Sequence, residues 1–294
     1  MKNSILTATM VLAIVATACK TTKTTNSESE KGKKTMDVSN QEKTLAVLKS
    51  IETGAQEPVA YINPTKYIQH NLGVADGLAG FGDLLQALPA NSAKVNTVRA
   101  FTDGDFVFTQ TEYEFFGPKI GFDIFRFEDG LIVEHWDNLQ VNTGKSNPSG
   151  HTMIDGATKI ADLDKTKANK EVVKNFVTDI LVNGDMSKIS AYFDGDNYIQ
   201  HNPNIPDQLS GLGATLEALA KQGIFMKYDR IHTVLGEGNF VLAVSEGHFG
   251  EDHNSFYDLF RIENGKIAEH WDVVEKIAPK ENWKNQNGKF NFPK

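Results

Sequence analysis

Apolar residues recur at one-turn spacing over Val172, Val173, Phe176, Val177, Ile180 and Leu181, the stripe of an amphipathic helix that Asn183-Gly184 is placed to end. Leu45, Leu48 and Ile51 make a shorter stripe early in the chain. Two further helices are predicted by Leu78, Phe81, Leu84, Leu85 and Leu88 and by Leu209, Leu212, Leu216 and Leu219. After the first of these the period changes. Residues 95–101, 106–113, 121–127 and 131–137 are rich in β-branched and aromatic side chains, with turn signals at Asp103-Gly104 and Asp129-Gly130 between them. That pattern predicts an antiparallel meander. The later half repeats it with turns at Gly236 to Gly238 and at Asn264-Gly265. Helices first and sheet afterwards give an α+β class, a curved sheet wrapped over helices, which leaves a cone-shaped pocket.

The halves are copies of one unit. Tyr67-Ile68-Gln69-His70-Asn71 returns 131 positions later as Tyr198-Ile199-Gln200-His201-Asn202. A sixteen-residue string from Phe122 to Asp137 returns 135 positions later, from Tyr257 to Asp272, with ten identities. Different offsets with the order kept indicate a duplicated domain carrying small insertions. We place the first copy at 41–141, a linker with Asn147-Pro148-Ser149-Gly150 at 142–166, the second copy at 167–278 and a C-terminal tail at 279–294.

Residues 1–18 read as an export signal. Lys2 precedes an uncharged, mostly apolar run from Ile5 to Ala18, short for a spanning helix but suited to a signal peptide. The run ends Ala16-Thr17-Ala18-Cys19, like a bacterial lipoprotein cleavage box, so Cys19 is the expected lipidation site and the membrane anchor; a plain secretory signal is the alternative. Residues 19–40 hold almost nothing apolar and read as a flexible tether. The expected location is the bacterial cell envelope, at the outer membrane or the periplasmic face.

Composition narrows the chemistry. The 294 residues carry 30 Lys plus Arg against 38 Asp plus Glu, and the net charge of −8 disfavours nucleic acid as a partner. The single cysteine excludes a disulfide framework and a cysteine-based zinc site. Gly80, Gly82, Gly211 and Gly213 fall in helix-forming stretches, so no phosphate loop or dinucleotide fingerprint is present. Ser245 and Thr111 sit in strand segments without a nucleophile elbow.

Both copies retain the same polar set: His70, Asp123, His135 and Asp137, then His201, Asp258, His270 and Asp272. Strand alternation puts His135 and Asp137 on one face and Glu134 and Trp136 on the other, without saying which face lines a pocket. Asp123 shares its parity with Phe125 and Phe127, so inward-pointing aromatics would bring it inward, in apolar surroundings suited to a general base. The bland readings stay beside these: His70 as a buried histidine bonded to backbone, His135 and Asp137 as strand-end caps. Tyr67, Trp136, Tyr198 and Trp271 are candidate substrate contacts, the tryptophans alternatively core or dimer-interface residues. His135-x-Asp137 with His70 also has the ligand types of a two-histidine, one-carboxylate iron site, in an unusual chain order.

These repeated strings resemble the SnoaL-like group of the nuclear transport factor 2 superfamily, and within it the branch of predicted SnoaL-like aldol condensation-catalysing enzymes. The likeness spans about residues 42–140 and 168–275. It implies tandem cone-shaped α+β barrels working without metal or organic cofactor on a small apolar carbonyl compound. An acid residue would take a proton from the carbon beside a carbonyl, in the manner of the group's polyketide cyclases. On that resemblance Asp123 or Asp137 is the base and His70 or His135 polarises the carbonyl; Asp258 or Asp272, His201 and His270 act likewise in copy two. It also implies sheet-to-sheet packing of the two copies as an intramolecular pseudo-dimer. Copy two departs at Gln208, where Gly77 follows Asp76 in copy one, and adds His248 and His253, which leaves open whether both pockets survive. A noncatalytic binding protein for a small hydrophobic ligand, and a protein-interaction module, are the alternative functions.

Overall fold

Ser39 opens the first helix with a capping box: its hydroxyl accepts the Glu42 N–H, and the Glu42 carboxylate accepts the Ser39 N–H. Helix α1 (Asn40–Thr53) buries Val47 and Leu48 and stops at Gly54, where φ is 70°. The computed structural model describes residues 38–89 and 91–293. The proposed signal peptide, Cys19 and nearly all of the tether lie outside the described residues.

The first half continues through β1 (Ile68–Gln69), α2 (Gly77–Ala87), β2 (Lys94–Asp103), β3 (Phe106–Glu114), β4 (Pro118–Glu128) and β5 (Leu131–Val141). Its five strands lie in the order β1-β5-β4-β3-β2, antiparallel except that β1 runs parallel to β5. Asp129 and Gly130 both have positive φ, 48° and 75°, the backbone that closes a tight β4–β5 hairpin. The second half follows with α3 (Thr166–Phe176), β6 (Ile199–Gln200), α4 (Leu209–Lys221), β7 (Met226–Glu237), β8 (Phe240–Phe249), β9 (Asp252–Glu263) and β10 (Lys266–Lys276). The sheet order is again β6-β10-β9-β8-β7. The class is α+β, with two five-stranded sheets. The stripe from Val172 to Leu181 is helical throughout, but its last part, Val177–Val182, is π-wound before Gly184 ends it.

Each sheet is buried on both faces. One face packs under its own helices, with Val47, Phe81, Phe125 and Ile132 in the first half and Val173, Phe176, Phe256 and Phe260 in the second. The opposite faces meet in a shared core that contains Phe108, Phe122 and Trp136 from one sheet and Leu242, Tyr257 and Trp271 from the other. Asn138, fully buried there, donates to the carbonyls of Ser255 and Val273 across the join. Trp136 and Trp271 are 0% and 1% exposed in this core, so the expectation that they contact substrate is corrected. Their strand parity turns them away from the helices.

The segments after each sheet cross to the other half. Residues 142–161 run along copy two: Asn147 donates to Gln200 and Ile205 carbonyls, and the Asp155 carbonyl accepts the Trp271 indole N–H. Residues 277–293 do the same for copy one, where Asn285 donates to the carbonyls of Asn71 and Val74 and the Phe290 carbonyl accepts the Trp136 indole N–H. Each half is therefore strapped by the arm of the other. No helix among the described residues is long and apolar enough to cross a membrane.

Candidate functional site

Strand register fixes the site. Asp123 on β4 lies directly opposite Asp137 on β5, and Phe125 opposite His135. All four face the helices and line a cavity of about 420 Å³ with Tyr67 and Tyr113. His135 Nε2 faces Asp123 Oδ1 at 3.2 Å, and its Nδ1 faces Gln69 Oε1 at 3.0 Å. The amide oxygen of Gln69 can only accept, so Nδ1 is the donor there and Nε2 is the nitrogen turned to the Asp123 carboxyl. The Tyr113 hydroxyl donates to Asp123 Oδ2 at 2.8 Å. Burial, and then the charge of Asp123, push that hydroxyl well above the usual tyrosine range, so it remains a donor. Asn71 Nδ2 donates to Asp137 Oδ2 at 2.7 Å, while Asp137 Oδ1 is buried without a hydrogen-bond partner. A buried carboxylate positioned by an amide donor has the form of a general base.

Copy two builds the same floor in a cavity of about 530 Å³. His270 Nε2 is 3.0 Å from Asp258 Oδ1 and its Nδ1 3.2 Å from Gln200 Oε1. Tyr228 donates to Asp258, and Asn202 Nδ2 to both oxygens of Asp272, at 3.0 and 2.8 Å. Burial raises the Asp272 carboxyl above the ordinary aspartate range, against the opposing pull of His270. Tyr198 lines this cavity as Tyr67 lines the first, and burial followed by the nearby aspartates lifts both hydroxyls above their usual range.

His70 and His201 are on the other side of their sheets. His70 Nε2 is 2.9 Å from Glu134 Oε1, its Nδ1 is 2.6 Å from the Gly288 carbonyl, and its ring stacks on Trp136 at 4.7 Å. His201 repeats this with Glu269 at 2.9 Å, the Thr152 carbonyl at 2.9 Å and Trp271 at 4.6 Å. The expectation that these two histidines polarise a carbonyl is corrected. Alternation along β1 and β6 sends Gln69 and Gln200 into the cavities and the next residue away from them. The iron-site combination of His70 with His135 and Asp137 fails for the same reason.

The residues missed from the sequence stand in the same repeated string: Gln69 and Asn71, Gln200 and Asn202, two positions apart and identical in both copies. Their parity with one another was the available signal. Tyr113 and Tyr228 carried no such mark, because only the β3–β4 and β7–β8–β9 pairing brings them to Asp123 and Asp258. Gln208 holds the φ of 73° that Gly77 holds at 74°, so the helix entry is preserved despite the change of residue. His248 and His253 lie outside the cavity, paired with Asp229 and Glu246.

Asp123, His135 and Asp137 offer ligand atoms within 4.8 Å of one another, as do Asp258, His270 and Asp272, and His151, Asp155 and His201. Two carboxylates and one imidazole suit a hard or borderline divalent ion. In each cavity, however, the imidazole already has partners at both nitrogens, and a metal ligand on Nε2 would have to break its bond to aspartate.

No curated protein matches the chain. Solved structures similar to it each span about a third of its length. They include an NTF2-like protein of unknown function from Cytophaga hutchinsonii (11% identity, 36% of this chain and 94% of that one, TM-score 0.32). An LEH-like epoxide hydrolase from M. tuberculosis is another (21% identity, 38% and 85%, TM-score 0.29). A candidate polyketide cyclase from Bacillus cereus is a third (18% identity, 34% and 72%, TM-score 0.30). The SnoaL-like domain model matches residues 173–270 of this α+β chain, a span that runs from within α3 to His270 on β10, so the second half is similar to a SnoaL-like domain.

Proposed function

We propose that each half is a cofactor-independent acid/base site acting on a small carbonyl compound, of the aldol-condensation, cyclase or isomerase type. The observation that carries this is the floor built twice: Tyr113–Asp123–His135–Gln69 with Asn71–Asp137, and Tyr228–Asp258–His270–Gln200 with Asn202–Asp272, at the end of an apolar cavity. Asp137 or Asp272 takes the proton from the carbon next to the carbonyl, and the C–H electron pair becomes the enolate. In the condensation that pair forms the bond to the second carbonyl carbon, whose oxygen takes a proton from the His135–Asp123 pair, or from the His270–Asp258 pair. The proton left on Asp137 or Asp272 then returns the pair to its starting state. Fixed donors at the developing oxyanion supply most of the stabilisation in such sites.

With this reading goes an envelope location, through export by residues 1–18 and lipidation of Cys19; incorporation of labelled palmitate that is lost in Cys19→Ser tests it. The chemistry is tested by deuterium exchange at the α-carbon of a panel of ketones and aldehydes, followed by NMR. Exchange that falls to background in the double variant Asp137→Asn, Asp272→Asn supports the assignment. Exchange unchanged in that variant refutes the choice of base. Saturable binding with no exchange by the wild type supports the noncatalytic binding protein instead.

A further inference from the structure

The two cavities share a floor and differ in charge. Lys119 and Lys284 line the first, with Asp83 the one rim carboxylate among its described lining residues. Lys119 is held in place by the carbonyls of Phe115 and Phe116, at 2.9 and 2.7 Å. Lys284 comes from the crossing C-terminal arm, pinned where its backbone N–H donates to the Leu72 carbonyl at 2.8 Å. The described lining of the second cavity has no lysine, arginine or glutamate, and its only charged groups are those of the Asp258–His270–Asp272 floor.

A third lysine lies beneath the first floor. Lys289 has 2% side-chain exposure, its Nζ 2.8 Å from Glu275 Oε1 and 3.8 Å from Asp137 Oδ1, the oxygen without a hydrogen-bond partner. A buried ammonium persists only when paired, and its charge is felt strongly in low dielectric. The residue matching Glu275 across the repeat is Gln140. Glu275 Oε2 accepts the Leu139 N–H, and Gln140 Oε1 accepts the Val274 N–H, so the backbone contact is kept and the charge is not. His151, which follows the Asn147-to-Gly150 turn as Lys289 follows Asn285 to Gly288, pairs with Asp155 and Asp207 instead of the second floor. The described lining of the first cavity therefore carries two ammonium groups, with a third paired to Glu275 beneath its floor, and that of the second carries none.

We propose that the first cavity takes a carbonyl compound that also carries a carboxylate, bound by Lys284 and Lys119 at its mouth, and that the second takes an uncharged one. This rests on the reading of both cavities as carbonyl sites. Lys284 sets the preference because it is exposed at the mouth, whereas Lys289 is buried and committed to Glu275. The two copies then divide the substrate range between them.

Calorimetric titration of the full chain with δ-oxooctanoate and with its methyl ester tests this, using wild type, Lys284→Glu and Lys284→Arg. Lys284 is exposed, so the substitutions spare the core. The expected result is carboxylate binding that weakens about tenfold in Lys284→Glu and is restored in Lys284→Arg, with ester binding changed less than about twofold. Equal weakening of both ligands, or a carboxylate affinity indifferent to residue 284, overturns the proposal. Ester binding with the carboxylate refused by the wild type overturns it while leaving the carbonyl-site reading standing; failure of both ligands to bind overturns both.

Discussion

His70 and His135 stand on opposite faces of one sheet although β1 and β5 are hydrogen-bonded neighbours, with Gln69 in register with His135. The first binds Glu134 and the carbonyl of Gly288, and the second binds Asp123 and Gln69. On the proposed function, structure and chemistry are thereby separated between two histidines. His70→Asn is expected to lower stability by about 1–3 kcal/mol, because it leaves Glu134 and the arm carbonyl under-satisfied in a buried place. Exchange per folded molecule should persist. His135→Asn should do the reverse, reducing copy-one exchange about 10²-fold with a small change in melting temperature. Denaturant titration beside exchange rates checks the pair, and equal effects on both measurements would contradict the division.

Asp272 gives a pH prediction with a definite sign. Burial raises its carboxyl, so it remains protonated to higher pH than an ordinary aspartate, whose reference value is about 3.9. As the proposed copy-two base it works only when ionised. Copy-two exchange, isolated in Asp137→Asn, should therefore rise through an acid limb whose midpoint lies above about pH 4. The linked stability runs the other way. A carboxyl raised in the fold contributes stability that is full below the unfolded value and is lost as pH rises through the folded one, so Asp272→Asn should gain stability relative to wild type at neutral pH. A limb at or below the ordinary aspartate value would show that Asp272 is not the titrating base.

Gln208 occupies φ 73°, ψ 145°, a region suited to glycine, and its counterpart in copy one is Gly77. Its backbone N–H donates to the Tyr198 carbonyl at 2.7 Å, which holds it there. Gln208→Gly should relieve the strain and stabilise the chain by about 1 kcal/mol, seen as a higher midpoint in urea with an unchanged slope. The converse substitution, Gly77→Gln, should destabilise by a similar amount. Destabilisation by Gln208→Gly would mean that its side chain contributes more than its backbone costs.

Much of the fold was legible because local signals were strong. The helical stripes, the Asp129-Gly130 and Asn264-Gly265 turns and the repeated strings each specify a local geometry, and β5 and β10 carry the longest strings. The α+β class and the site carboxylates follow from those. What escaped were tertiary facts. Strands buried on both faces show no clean alternation, so neither the pocket side of β5 nor the buried fate of Trp136 is written in its composition. Strand β1 is two residues long and exists only because β5 accepts it. His70 was singled out by residue type, while Gln69 and Asn71, which orient the site, look like ordinary polar neighbours. Lys289 sits in a polar tail whose crossing to the other half has no local signature.

That crossing predicts that neither half stands alone. A chain ending at Val141 would expose Phe108, Ile120, Phe122, Ile124 and Trp136, all 0% exposed in the whole protein, and would lose the arm that accepts the His70 and Trp136 N–H groups. An apolar face of that extent drives association. Residues 38–141 alone should therefore dimerise, aggregate or remain unfolded, and removing only residues 279–294 should selectively loosen β1 and the Asn71–Val74 turn. Hydrogen exchange of the truncated chain reads the second effect as lost amide protection at Gln69 to Val74, with β8 and β9 still protected. A monomeric 38–141 fragment that unfolds cooperatively would show that the shared core is dispensable, and protection unchanged after loss of the tail would show that the arm does not hold the first half together.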